Sequence, residues 1–294
     1  MKSKKEALIT DLDNTLFDWV DLWINCFSPM LDKIVEISGI PKDTLLPEIA
    51  AIHQRHGTSE YSFLVEEIPS IQLWLNGRSA VSIFSSAIDI FREQRRKHLK
   101  LYPTVLETLS EIKKKGALII GYTESMAFYA NYRIKKLKLD GILDYIYCPK
   151  DHKIPANINI ENLRKYSSEH YSLENTIQRF TPAGSKKPDK AVLNTILQEI
   201  NIEKSSCVYI GDSLMKDIAM AKDCGVQSIW AEYGLAHIRP EYDLLRKVTH
   251  WTPAEVERER QINSREHVTP DYTATERFSE VLDNFDFSPH RKGI

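Results

Sequence analysis

Two kinds of hydrophobic pattern alternate along the chain. Short, nearly unbroken apolar runs occur at ALITDLD (7–13), ALIIGYT (117–123), DYIYCP (144–149), SCVYIGD (206–212) and VQSIWAEY (226–233). Between them lie longer stretches in which apolar residues return every three or four positions, the period of a helix packed on one side. A strand that is apolar on both faces must be covered on both faces, as in a parallel sheet flanked by helices. The pattern predicts an α/β fold with a doubly wound, Rossmann-like parallel sheet. DYTATERFSEVLDNF (271–285) adds a last short strand and a closing helix.

The spacing of these runs predicts a second, smaller unit. About a hundred residues separate the first run from the second, far more than one crossover helix needs. Residues 19–100 carry the helical segments WVDLWINCFSPMLDKIVEI and SAVSIFSSAIDIFREQ, the basic run RRKHLK, and Pro41 and Pro47 as punctuation. They are expected to form a mainly helical cap domain over the carboxyl ends of the sheet. Residues 1–18 and 101–294 are left as the core domain, with RRKHLK as a solvated helix face. Residues 150–185 read as an elaborated surface loop with one helix, and 234–266 as polar and helical.

The chemistry-bearing residues stand at the ends of these runs. Asp11 and Asp13 close the first strand, and acids at i and i+2 of a strand point the same way. Open α/β sheets bind ligands at the carboxyl edge, and two acids at one mouth call for a cation. Thr123 closes the second strand in GYTES, where a hydroxyl before a helix start can donate to a phosphate oxygen. In SKKPD (185–189) a lysine precedes Pro188, which opens a helical pattern. The fourth run ends in GDSLMKD (211–217), a second acidic pair, Asp212 and Asp217, on a turn that leads into a helix.

In this order, the four segments resemble the signature motifs of the haloacid-dehalogenase superfamily, over 7–18, 103–150 and 185–233 and extending to 271–285. The resemblance implies that Asp11 is a nucleophile attacking phosphorus and Asp13 a general acid and base. It implies that Thr123 and Lys187 bind the phosphoryl group, Lys187 fitting the Lys-Pro pair better than Lys186. Mg²⁺ is expected on Asp11, Asp13, Asp212 and Asp217. Dehalogenating relatives lack the second aspartate, so Asp13 points to phosphoryl rather than carbon–halogen chemistry.

The implied activity is a Mg²⁺-dependent phosphatase acting through an aspartyl-phosphate on a small phosphomonoester such as a nucleotide, a sugar phosphate or phosphoglycolate. A phosphomonoester repels a carboxylate nucleophile unless cations cancel the charge, and a hard, oxygen-liganded Mg²⁺ together with Lys187 does so. Two alternatives share the motifs: a phosphate-accepting signalling or binding module with little turnover, and a phosphomutase or phosphonate-cleaving relative. Glu124 departs from the small or amide residue usual after the motif threonine, and it receives no role. His53, Arg55, His56 and Arg78 could meet a second anionic group of the substrate.

Composition narrows the partners. The net charge of −2, with both signs well mixed, offers no electropositive face for nucleic acid. The apolar start, Ala7 to Ile9, is too short for a secretory segment, and no run reaches membrane-spanning length, so a cytoplasmic protein is expected. Cys26, Cys148, Cys207 and Cys224 lack Cys-x-x-Cys spacing and read as reduced thiols.

Overall fold

The computed structural model describes residues 2–155, 158, 164, 166–234, 242–250 and 268–290. The apolar runs become strands β2 (Ala7–Thr10), β3 (Leu118–Tyr122), β4 (Tyr145–Cys148), β6 (Cys207–Gly211) and β7 (Gln227–Ala231). With β5 (Ile177–Phe180) and β8 (Tyr272–Ala274) they form a seven-stranded sheet in the order β5-β4-β3-β2-β6-β7-β8. Every pairing in it is parallel. This is the expected doubly wound α/β architecture, with the first motif strand at its centre.

The side-chain alternation of a strand explains the two-sided burial. Leu8 of β2 enters one hydrophobic cluster, with Ile119, Val208 and Ile210. Helices α7 (Val105–Lys114) and α8 (Ala127–Lys136) cover that face through Leu109, Ile112, Ala130 and Ile134. Ala7 and Ile9 enter the opposite cluster with Ile120 and Tyr209, under α9 (Lys190–Glu199) and α10 (Ala219–Cys224).

Helices α1 (Trp19–Ser38), α2 (Lys42–His56), α3 (Leu64–Glu67), α4 (Pro69–Leu75), α5 (Ala80–Ile83) and α6 (Ser85–His98) fill the predicted insertion. Trp23, Phe27, Leu31 and Ile34 of α1, spaced by three and four, enter a third cluster with Ile49, Ile71 and Phe84. Leu22 and Cys26, on the adjoining stripe of α1, reach the core cluster instead. Asp18 caps α1 by accepting from the Asp21 N–H, and Gly39 ends it in a left-handed conformation. Pro47 lies inside α2 rather than punctuating it.

Other expectations change. Residues 150–185 hold an edge strand, β5, which the pattern missed because its apolar ends, Ile177 and Phe180, are exposed. Residues 156, 157, 159–163 and 165 of that segment lie outside the described residues. So do 235–241 and 251–267 of the polar stretch, whose described helix α11 (Tyr242–Val248) buries Leu245 and Val248 in the insertion's cluster. The basic start forms β1 (Ser3–Lys5), which pairs with β9 (Phe285–Phe287) beyond the closing helix α12 (Val281–Asn284). Lys5 is buried there, and its ammonium donates to the Ser205 carbonyl at 2.6 Å. The RRKHLK run is only partly a solvated face: Arg96 and Lys97 are exposed, but the Arg95 guanidinium lies 3.9 Å from the centre of the Tyr132 ring and His98 pairs with Asp21.

Candidate active site

Strand register decides which side chains meet. Thr10 of β2 is level with Gly121 of β3 and Ile210 of β6. The residues that follow each strand, Asp11, Thr123 and Asp212, therefore leave the sheet side by side at its carboxyl edge. The Asp11 N–H donates to the Ile210 carbonyl at 2.9 Å and the Thr123 N–H to the Tyr147 carbonyl at 3.0 Å, which carries the ladder one step beyond the strands.

Asp11 is buried. Its Oδ1 accepts from Lys187 Nζ at 2.5 Å and its Oδ2 from the Thr15 hydroxyl at 3.2 Å. Lys187 also donates to Asp217 Oδ1 at 2.8 Å, and its ammonium lies 4.8 Å from the centre of the Tyr122 ring. Asp217 lies within a wide helical turn, Leu214–Ile218, which Ser213 caps by accepting from the Lys216 N–H. The carboxylate accepts further bonds from the Tyr209 hydroxyl at 2.8 Å and the Ser213 N–H at 3.2 Å. Gly211 makes room for it, since a Cβ at that position would fall 2.4 Å from Asp217 Cγ. Gly234 is tight for a similar reason: a Cβ there would fall 1.8 Å from the Asn14 carbonyl oxygen, so the chain after β7 runs directly against the Asp11–Thr15 loop.

Asp11, Asp212 and Asp217 each offer a carboxylate oxygen within 4.8 Å of the others. With Lys187 as the cation among them, three ionised acids would leave the cluster net negative in a site largely shut off from water. The proton affinities of the cluster follow from this crowding of charge. Burial, offset in part by Lys187 and raised again by Asp217 and Asp13, pushes Asp11 up to about 7. Burial, then the charges of Asp11 and Asp217, holds Asp212 well above the carboxylate range. Burial alone would lower Lys187, but Asp11 and Asp217 overcome it and hold the ammonium well above the ordinary lysine value. Three hard oxygen donors with surplus negative charge are the donor set of a divalent cation.

Asp13 stands apart from this cluster. Its Oδ2 accepts from the Thr123 hydroxyl at 3.0 Å and the Ser125 hydroxyl at 2.8 Å, and its Oδ1 from Arg133 Nη1 at 2.9 Å. The structure thus brings together three of the four acids expected at the metal and turns the carboxylate of the fourth toward β3 and α8. Asn14, in a left-handed conformation at φ 58°, makes the turn after Asp13, and its side chain accepts from the Trp19 N–H at 3.0 Å.

The remaining candidates resolve individually. Glu124 turns away from the acids, accepting from the Lys187 N–H at 2.9 Å and pairing with Lys216 at 3.4 Å. Burial would raise its carboxyl, but Lys216 and Lys187 hold it below the ordinary value. It ties the segments carrying Thr123, Lys187 and Asp217 to one another. His53 is buried, with no anionic partner among the described residues, and donates from Nδ1 to the Val248 carbonyl at 2.6 Å. Arg55 and His56 pair with Glu67, and Arg78 lies over Trp74. Sequence reasoning gave no role to Ser125, Arg133 or Glu60, because nothing local distinguishes a helical arginine that points inward from one that points out.

The family model of the haloacid dehalogenase-like hydrolases matches residues 5–225, from the first motif strand to the end of the fourth motif's helix. The chain belongs to this hydrolase family. It is an enzyme of that family, and it is 20% identical over 234 residues to the glyceraldehyde 3-phosphate phosphatase of Pyrococcus furiosus, covering 78% of this chain and 81% of the relative. A shorter stretch of 58 residues is 38% identical to a probable phosphoglycolate phosphatase of Pseudomonas putida, covering 20% of this chain and 23% of that one. Among solved structures, the 2-haloacid dehalogenase of Pseudomonas syringae superposes with a TM-score of 0.54 at 19% identity, over 95% of this chain and 97% of that one. A putative beta-phosphoglucomutase of Thermotoga maritima superposes at 0.51 and 17%, with the same coverage. These two likenesses speak to the fold.

Proposed function

We propose that the protein is a Mg²⁺-dependent phosphatase that hydrolyses a small phosphomonoester through an aspartyl-phosphate on Asp11. The observation that carries this reading is the environment of Asp11: a carboxylate at the end of the central strand, ion-paired to a buried lysine and clustered with two further acids. The relatives named for glyceraldehyde 3-phosphate and phosphoglycolate support a short phosphorylated metabolite as the substrate. The helices of 19–100 serve as the cap that encloses it. Four free, buried cysteines suit the reducing cytoplasm.

Asp11, Asp212 and Asp217 would hold the Mg²⁺, which supplies charge neutralisation for the incoming phosphoryl group. Lys187 opposes the protonation that burial favours at Asp11 and shares the neutralisation. An Asp11 oxygen lone pair attacks phosphorus as the bond to the ester oxygen breaks, and Asp13 passes its proton to that leaving oxygen. Asp13, now a carboxylate, takes a proton from water; the hydroxide attacks phosphorus, and the Asp11–phosphorus bond breaks to give orthophosphate. The Thr123 hydroxyl can turn from Asp13 to a phosphoryl oxygen while Ser125 and Arg133 keep the carboxylate in place.

The test is phosphate release from p-nitrophenyl phosphate and a panel of phosphorylated two- to six-carbon metabolites, with Mg²⁺ or with EDTA. Asp11→Asn is expected to lower turnover by about a thousandfold or more. Undiminished activity in that variant would sink the mechanism, and a stable phosphorylated protein without turnover would favour a phosphate-accepting module.

A further inference from the structure

Arg133 lies on α8 with its side chain 3% exposed. A guanidinium so far out of water is tolerated only when its donors find partners. Nη1 donates to Asp13 Oδ1 at 2.9 Å and to the Ser125 hydroxyl at 2.8 Å, and Nη2 donates to the Glu60 carboxylate. Its cationic carbon lies 5.4 Å from the centre of the Phe17 ring and 5.7 Å from that of Tyr129. The partners come from different parts of the molecule. Asp13 follows the central strand, whereas Glu60 comes from the loop between α2 and α3, inside the helical insertion. The same loop meets α8 again where the Ser62 hydroxyl donates to the Tyr129 hydroxyl at 3.2 Å, and Trp23 Nε1 fixes it from the α1 side by donating to the Ser59 carbonyl at 3.0 Å.

We propose that Arg133 aims the Asp13 carboxylate and that Glu60 transmits to it the position of the helical insertion. The proposal rests on the reading of Asp13 as the acid and base of an Asp11 phosphatase. Asp13 must meet the leaving oxygen in one half-reaction and water in the next, so its work depends on the direction its carboxylate faces. Thr123 and Ser125 hold one oxygen from one side; Arg133 holds the other. Removing the guanidinium leaves the carboxylate free to rotate about the hydroxyl contacts. If the loop carrying Glu60 lifts off α8, Arg133 loses its second anchor and with it a fixed approach to Asp13. Enclosure of the substrate and alignment of the acid are thereby one event. Among the described residues, the partners of Arg133 are Asp13, Ser125, Glu60 and two aromatic rings rather than the Asp11 cluster, so it is a positioning residue.

The leaving group supplies the test. p-Nitrophenolate departs without a proton, while an alkyl oxygen needs one, and both pathways need Asp13 to activate water. Arg133→Met is expected to lower kcat for an alkyl phosphate by roughly a hundredfold with KM changed less than about threefold. With p-nitrophenyl phosphate the same variant is expected to give a rapid burst of one p-nitrophenol per protein, then slow turnover as the phosphorylated protein accumulates. Glu60→Gln, which keeps a hydrogen bond and removes the charge, is expected to lower alkyl kcat by roughly tenfold, and adding it to Arg133→Met should cost nothing more. Arg133→Lys should recover part of the loss. Urea unfolding establishes that each variant is folded; if Arg133→Met is not, Glu60→Gln and Arg133→Lys decide. Equal loss of the aryl burst and of alkyl turnover, or wild-type values in both, would overturn the proposal. Persistent hydrolysis in Asp11→Asn would instead overturn the phosphatase reading on which it rests.

Discussion

At the scale of single residues, the site is held by close approaches as much as by charges. Gly211 shows this most directly, because Asp217 occupies the space that any other residue's Cβ would need. Gly211→Ala must push either β6 or the turn of Leu214–Ile218 aside, and overpacking of this kind costs about 1–3 kcal/mol. Its expected result is a lower urea midpoint together with at least about a tenfold loss of kcat, since Asp217 would no longer meet Lys187. An alanine variant with wild-type stability and turnover would show that the carboxylate has room to move. Glu124 acts at the same scale: its carboxylate, where a small or amide residue is usual, faces Lys216 and the Lys187 N–H.

Between elements, α2 and α11 are joined through His53. The ring is buried, its Nδ1–H bonds the Val248 carbonyl, and its Nε2 has no partner among the described residues. Burial lowers its pKa to about 4, so the folded protein keeps the ring neutral where the unfolded chain protonates it. The unfolded state therefore binds more protons between the ordinary histidine value near 6.5 and about 4, and stability falls as the pH drops through that window. Nothing is lost above it. At pH 5 the contribution is about 2 kcal/mol relative to pH 7.5. His53→Asn retains a donor toward Val248 but does not titrate. It should be less stable than the wild type at pH 7.5, with the gap narrowing by about that amount at pH 5 in urea unfolding. A gap that stays constant with pH would mean that the ring gains water on protonation.

For the molecule as a whole, the acidic cluster sets function against stability. Asp11, Asp212 and Asp217 repel one another, and Lys187 compensates only in part. A site built for a cation should therefore destabilise the metal-free protein. Mg²⁺ at a hundred times its dissociation constant is expected to stabilise the fold by about 2.7 kcal/mol, read as a rise in melting temperature that EDTA reverses. Asp212→Asn should raise the melting temperature of the metal-free protein and abolish the Mg²⁺-dependent rise. A wild-type transition indifferent to both Mg²⁺ and EDTA would remove the case for a divalent site.

How much of this was legible in the chain follows from the range of the forces involved. Strand burial is written locally, in runs such as ALIT and CVYI, because a residue covered on both faces must be apolar whatever its neighbours are. The order of strand-end motifs could likewise be read from the chain, and with it the candidates Asp11, Thr123, Lys187 and Asp212. β5 was not legible, since an edge strand needs no apolar face. Nor was the inward turn of Arg133 and Lys5, since a buried cation is chosen by partners distant in sequence: Glu60 for one, the Ser205 carbonyl for the other. The sequence by itself determined the α/β fold and the acids at its carboxyl edge. Only the tertiary structure decided that Asp13 faces Arg133 while Asp217 joins Asp11, because register and packing, not spacing along the chain, set which carboxylates share a cation.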